Sequence, residues 1–428
     1  MLSDLLLSDD PLYAELYDVR REAEAMRNYV AEDQSNAIAV LRTKAPVHAG
    51  PLRELLGLPA HKRHALAEGK AKYCALSFTA CETVLRDSKR FSSSIVHHPN
   101  PTGEKTMGVL EMDGGEHRAF RRALQPIFLK HNAEGWWRRR WIDEAVARLV
   151  ASLKTRSHAD LNLDFCARIP VHTITTAIGL DGEAALEFRL AWMKSGGVGR
   201  VAPDEQRAAA QQVEDMLLAL IAQRRTAPQD DVITRLIDAE LALPGEEPRA
   251  LSDREVMLNA RLIMIAGGGT SWRQMGIALL GLLTNPDQLA EVRQERGLLD
   301  AAIEESARWT ANSGLFCRVV TQDTELEGVA LPEGSVIEVW LNAANRDPAR
   351  WDRPEQFDLF RPVQNHLGFG IGQHRCLGLN VAKQEMYAGI SALLDAFPNL
   401  RLDPDAEVPF ITGGLEQRGP SALPVLLD

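Results

Sequence analysis

The chain lacks any uninterrupted apolar run of the ~18 residues that a membrane span requires, so no membrane anchor is expected. Its opening residues, "MLSDLLLSDDPLYAEL", lack a basic leader, and acids interrupt the short apolar run, so they do not read as a secretion signal. Cysteine is scarce: Cys74, Cys81, Cys166, Cys317 and Cys376 are odd in number and have no CxxC spacing. That excludes a disulfide framework and a zinc ribbon, and it fits a reducing, cytoplasmic setting. Positive charge is in deficit too. A formal net charge of -11 argues against general nucleic-acid binding. No internal repeat, low-complexity tract or Gly/Ser/Pro-rich linker divides the chain.

What is present is mostly helical. Apolar residues recur with 3.6-residue periodicity over Asp10–Tyr29, Asp143–Leu153, Gln206–Gln223 and Asn380–Phe397. Strand character concentrates in "CRVVTQDTELEGVALPEGSVIEVWLN", where β-branched and polar residues alternate around Pro332, Glu333 and Gly334. The apolar patch "LPVLLD" follows at the end, and "SSSIVHHPNPTGEK" and "LALPGEEP" read as surface loops. The expected class is mainly α with a small β region. At 428 residues, length alone favours two or more domains, unless a large buried cofactor organises a single core.

One helix is exceptional. Ser252-Asp253-Arg254-Glu255 has the form of a capping box, and the helical pattern then continues to Asn285, before Pro286. At roughly 33 residues it would be ~50 Å long, enough to cross a domain. Its middle is apolar all round, which predicts burial. Yet Gly267, Gly268 and Gly269 stand at its centre, each costing ~1 kcal/mol relative to alanine. Either the helix breaks there, or its backbone must closely approach a ligand.

The other unusual stretch is "GFGIGQHRCLG", Gly368 to Gly378. Helical pattern resumes at Leu379, which puts Cys376 at a helix N-terminus, where free N–H groups favour a thiolate. A thiolate binds metal. Gly370 and Gly372 permit a tight bend, Gly378 removes a side chain just past the sulfur, and Phe369 offers an apolar wall. A lone buried cysteine is commonly only a small hydrophobe. The spacing Phe369-x-x-Gly372-x-x-x-Cys376-x-Gly378 decides against that, because it would recur by chance in roughly one chain in a thousand of this composition.

This loop resembles the haem-binding loop of the cytochrome P-450 superfamily, in its soluble bacterial class. The resemblance implies one haem-thiolate domain over residues 1–428, haem b (iron protoporphyrin IX) as cofactor, and Cys376 as the iron ligand. Glu305-Ser306-Ala307-Arg308 matches the family's Glu-x-x-Arg signature, an i,i+3 ion pair. "NRDPARW" and "RPEQFDLFRP" resemble the meander that follows, except that Gln356 stands where the pattern has arginine. Arg361 is the substitute third partner. The family's propionate-holding cations match His117 and Arg121 in "GGEHRAFRR", Arg318 in "LFCRVV", and His374.

The glycine run then aligns with the family's oxygen-binding kink: Ala266, Gly267, Gly268, Gly269, Thr270, Ser271. Thr270 takes the alcohol position, but Gly269 stands where the family carries an acid. Protons would then come through ordered water, through another acid such as Glu416, or from the substrate; alternatively, the oxidant is peroxide. By the same resemblance, Val109, Ile263, Asn312, Ser313, Leu315, Phe316 and Leu415 line the substrate pocket, with His97 and His98 as polar candidates. The implied activity is monooxygenation, hydroxylating or oxidatively demethylating a small to medium organic molecule. The implied partners are a ferredoxin and an NAD(P)H-dependent ferredoxin reductase, facing Arg118, Arg122, Lys130 and Arg138 to Arg140. Two rivals stay open at this point: a peroxygenase and a non-catalytic haem sensor. The Trp136, Trp137 and Trp141 cluster either packs or meets a membrane surface.

Overall fold

The computed structural model describes residues 17–59, 69–94, 108–180, 182–195 and 202–428. His97 and His98 lie outside them. The chain is built from helices around a long central one, with β structure to one side. The elements that position the site are α1 (Gly114–Leu124), α2 (Arg168–Ala177), α3 (Asp253–Leu283), α4 (Leu298–Trp309) and α5 (Leu379–Ala396), with a π-helix at Ala133–Ile142. The helix expected at Asp143–Leu153 forms over that span, and Pro203–Thr226 extends the one expected from Gln206. Of the helix expected at Asp10–Tyr29, residues 10–16 lie outside the described ones, and among the rest Val19–Ala25 is helical. Asp18 caps it, and Arg27, at φ 56°, turns the chain out of the helix before Tyr29.

The long helix is unbroken through its glycines. Ser252 Oγ accepts from the Glu255 N–H, and the Glu255 carboxylate accepts from the Ser252 N–H at 2.8 Å, so the capping box forms as the sequence requires. Arg249 grips the same carboxylate. Burial pulls the Glu255 acid upward, but the bonds from Arg249 and Ser252 outweigh it and hold it at about 2. The helix ends at Leu283, where Thr284 and Asn285 close the last turn onto Leu280 and Leu282. It packs against α2, α4 and α5, and Trp272, Met275, Leu279 and Leu282 from its C-terminal half lie in the main apolar core.

A five-stranded sheet flanks the helices. Its strands are β1 (Val47–Ala49), β2 (Lys72–Ala75), β3 (Phe91–Ser92), β4 (Leu315–Val320) and β5 (Val336–Trp340), in the spatial order β1-β2-β5-β4-β3. β5 runs parallel to β2 and antiparallel to β4, with Ile337 opposite Arg318. Phe78, Phe91, Val339 and Trp351 form a second core on this sheet. A hairpin of β6 (Ile411–Gly413) and β7 (Arg418–Pro420) carries a turn toward the sheet, and the terminal Pro424–Leu426 pairs with His158–Asp160 and Arg401–Leu402. The class is thus mainly α with small β sheets.

Candidate active site

The loop before α5 folds around its glycines. Gly370 and Gly372 have φ of 67° and 76°, left-handed values that other residues adopt only with strain. The Cys376 N–H donates to the Phe369 carbonyl at 2.9 Å, closing the bend. The sulfur then opens into an internal cavity of about 430 Å³, within the ~300–1,000 Å³ usual for small-molecule sites. Burial raises the Cys376 thiol above its ordinary value, opposed by the N–H groups of Gly378 and Leu379 and the charges of Arg121 and Arg375. The helix N-terminus therefore favours the thiolate as expected, but in the bare protein it does not prevail; a bound cation at the sulfur would have to tip the balance.

The cations expected from sequence converge on this cavity. His117, Arg121, Arg318 and His374 all line it, although α1, β4 and the cysteine loop deliver them from distant parts of the chain. The His117 and His374 rings lie 4.2 Å apart. His117 Nδ1 is buried without a hydrogen-bond partner, and burial, then His374 and Arg121, lowers its pKa to about 4. Arg318 is buried, its guanidinium bonded to the Cys317 carbonyl, while Arg121 reaches Gln125. Asp113 is the nearby anion: it accepts from Ser92, Ser93 and Gln373 and lies 3.6 Å from His374. Burial pulls Asp113 up, yet the bonds from His374, Ser92 and Ser93 bring it to about 2. Sequence reasoning did not identify Asp113 or Arg375, which also lines the cavity.

These residues fit a haem. A soft sulfur donor stands in an apolar cavity whose lining collects three arginines and two histidines, one with an orphaned ring nitrogen, which is what an anionic ring edge requires. Gly378 adds the space: nothing lies within 4 Å of where its Cβ would stand.

From α3, Ile263, Ala266, Gly267, Thr270 and Ser271 line the same cavity. The Thr270 hydroxyl donates to the Ala266 carbonyl at 2.6 Å. Of the three glycines, Gly267 lines the cavity and Gly268 and Gly269 do not. A Cβ at Gly267 would meet the end of the Ile174 side chain of α2, which would have to move aside. The Gly269 carbonyl accepts from Arg273, which also pairs with Glu22. A buried acid does reach the cavity from elsewhere. Glu385, on α5, lies 1% exposed against the Ser271 hydroxyl, and Oε1 has no partner among the described residues. Burial raises it to about 8, so it holds a proton at neutral pH. Its sequence signal was one acid on the apolar face of a helix otherwise lined by Val381, Met386 and Ile390.

Of the expected substrate-pocket residues, Val109, Ile263, Asn312, Ser313, Leu315 and Phe316 line the cavity. Leu415 does not. The bridge Ser313↔Gln417 and the Gly314 N–H to Glu416 carbonyl bond set the turn so that Leu415 packs with Leu52 and Trp340, while Glu416 and Gln417 face inward. Glu416, named as a possible acid, is buried beside Arg53, 3.4 Å away. The Asn312 amide is partly committed, donating to Gln274 Oε1.

Behind the cysteine loop, Arg308 Nε and Nη2 grip the two Glu305 oxygens at 2.7 and 2.8 Å, with both side chains buried. Arg361 is the third partner, its Nε 3.3 Å from Glu305 Oε1. Arg308 also binds the carbonyls of Asn345, Pro354 and Gln356, tying α4 to the meander.

The comparisons with known proteins agree. Residues 201–417 match the profile of the family described as Cytochrome P-450. Cytochrome P-450 105C1 of a Streptomyces species is 32% identical over 388 residues, spanning 88% of this chain and 95% of that protein. The chain belongs to the cytochrome P-450 family. This P-450 is also 33% identical to the 6-deoxyerythronolide B hydroxylase of Saccharopolyspora erythraea over 317 residues, 74% of this chain and 77% of that one. The crystal structure of the hydroxylase HmtN superposes with a TM-score of 0.71 at 28% identity, covering 83% of this chain and 90% of HmtN. The P-450 is accordingly an oxidoreductase of the monooxygenase family with haem b as its cofactor. Among the described residues no helix is long and apolar enough to cross a membrane.

Proposed function

We propose that this P-450 activates dioxygen to hydroxylate, or oxidatively demethylate, a small to medium organic molecule. The observation that carries the reading is the Cys376 sulfur opening into the cavity that Thr270 and Ser271 also line. Cys376 would be the axial ligand, His117, Arg121, Arg318 and His374 the propionate partners, and Phe369, Gly370 and Gly378 the loop surface against the ring. When bound, the haem supplies reductive cleavage of dioxygen, which an axial thiolate favours by donating electron density.

The protein's own residues do the rest. Thr270, by donating to the Ala266 carbonyl, keeps its oxygen lone pairs available as acceptors toward the cavity. Glu385 stores a proton at its carboxyl, and the Ser271 hydroxyl bonded to it lines the cavity together with Thr270. A relay from α5 thus does the work of the acid missing at Gly269. Val109, Ile263, Leu315 and Phe316 exclude water, and Ser313 and Asn312 orient the substrate. Glu305, Arg308 and Arg361 hold the meander in place.

Electrons come from a ferredoxin and an NAD(P)H-dependent ferredoxin reductase. Arg118, Arg122, Lys130, Arg139 and Arg140 are exposed and form the basic face for the ferredoxin. Peroxygenation is the second reading, and Gly269 favours it because peroxide brings its own protons. The Glu385–Ser271 pair favours dioxygen, since only dioxygen requires a proton store. Turnover with a ferredoxin pair under isotopically labelled dioxygen tests this: label in the product is expected, whereas unlabelled product formed only with peroxide supports the second reading. Ligand-induced spectral change without any product supports the sensor.

A further inference from the structure

We infer that Trp137, Trp141 and Trp136 form a one-electron relay that carries oxidising equivalents from the haem cavity to the protein surface. Trp137 lines the cavity together with Phe128, and their rings stack with centroids 5.8 Å apart. Trp137 lies 5.3 Å from Trp141 and 5.6 Å from Trp136, and Trp141 lies 4.6 Å from Trp136. All three belong to the π-helix Ala133–Ile142, whose i→i+5 repeat stacks residues 136 and 141 one turn apart. The π-helix also packs on α5, where Arg138 reaches Gln384 and covers the Tyr387 ring. Trp137 and Trp141 are buried, and Trp136 is half-buried at the surface.

The hydrogen bonds give the relay a direction. An oxidised indole becomes far more acidic at its N–H than the neutral ring. The Trp137 N–H donates to the Ile127 carbonyl at 3.0 Å, which cannot take a proton, so a hole there stays cationic and is passed on. The Trp136 N–H donates to the Asp230 carboxylate at 2.8 Å, which can. Arg235 stacks 3.4 Å from the centre of the Trp136 ring and, like Arg140, pairs with Asp230; the cation disfavours a second positive charge on the ring and so favours loss of the N–H proton toward the carboxylate and on to solvent. The end of the relay is therefore a neutral indole radical at Trp136.

The chemistry balances. A hydroperoxide takes two electrons and two protons to become an alcohol and water. When no substrate C–H bond supplies them, Trp137 gives one electron inward, Trp136 refills Trp137, and the Trp136 proton leaves through Asp230 to solvent, while the cavity takes up one proton from solvent for each electron it receives. A soluble reductant of the ascorbate class returns one electron and one proton to Trp136, and two such cycles account for one hydroperoxide.

The test uses the haem-loaded enzyme without substrate, given cumene hydroperoxide and a spin trap, followed by peptide mass spectrometry and freeze-quench electron paramagnetic resonance. A tryptophan radical and a trap adduct on Trp136 are expected. In Trp137→Phe the adduct should fall to the level of a haem-free control, and the haem should bleach faster. Asp230→Asn should shorten the life of the radical. Should Trp137→Phe fail to fold, Trp136→Phe must abolish the long-lived signal. An adduct on Trp136 that is equally strong without haem or in Trp137→Phe overturns the relay. So does a signal that survives Trp136→Phe, or bleaching that is the same in wild type and Trp137→Phe.

Discussion

A carboxylic acid in an apolar wall keeps its proton, and Glu385 is the residue on which this matters most. Its folded pKa is raised from the ordinary 4.5 to about 8 by burial, against the opposing Ser271 bond. Between those two values the folded protein holds a proton that the unfolded chain has released. Stability on this account is therefore fully present below about 4.5 and is lost as pH rises through about 8. Glu385→Gln cannot ionise and escapes that loss. Thermal melts should show the variant gaining on wild type as pH rises from 5 toward 8, and an unchanged difference across that range would remove the buried proton. In turnover the same change should raise the NAD(P)H consumed per product, because protons reach the cavity late. Arg53 and Glu416 offer no equivalent store, since each is the other's partner.

At the scale of elements, what was legible in the sequence was local. Ser252 and Glu255 lie three residues apart, as do Glu305 and Arg308, so one helical turn fixes each pair whatever surrounds it. Gly372, Cys376 and Gly378 form a motif for the same reason. What was missed depends on partners far along the chain: Glu385 on Ser271, Asp113 on Ser93 and His374, and the facing of Leu415 on the bridge from Ser313 to Gln417. Side-chain direction in that turn follows no repeat but is set by the long-range bonds to Ser313 and Gly314, so Leu415 turns away while Glu416 and Gln417 face the cavity. The Glu305–Arg308–Arg361 cluster carries its own expected outcome. Arg308→Ala leaves a buried carboxylate and several backbone carbonyls without their donor, a loss of about 3–5 kcal/mol that urea unfolding would register. Arg308→Lys should recover little, because an ammonium cannot reproduce the paired contacts.

For the whole molecule, length alone suggested more than one domain, whereas the helices that pack on α3 share one main apolar core. The cavity lies between α3 and the cysteine loop, so the cofactor would sit between parts of the chain that no short window of sequence connects. Surface charge works at this scale too. A net charge of -11 coexists with exposed Arg118, Arg122 and Lys130. Reduction by an acidic ferredoxin should slow as ionic strength rises, and Arg122→Glu should slow it further at low salt while hardly altering it at high salt. A reduction rate that ignores salt would exclude this face as the docking surface. The turnover and reduction outcomes presuppose the bond from the Cys376 sulfur to haem iron. The ferrous carbon-monoxide spectrum of the haem-loaded protein reads that bond directly: wild type should give the red-shifted Soret band of a thiolate-ligated haem, and Cys376→Ser should lose it. A wild-type adduct without the shift, or a Cys376→Ser protein that keeps it, would place the iron on some other ligand.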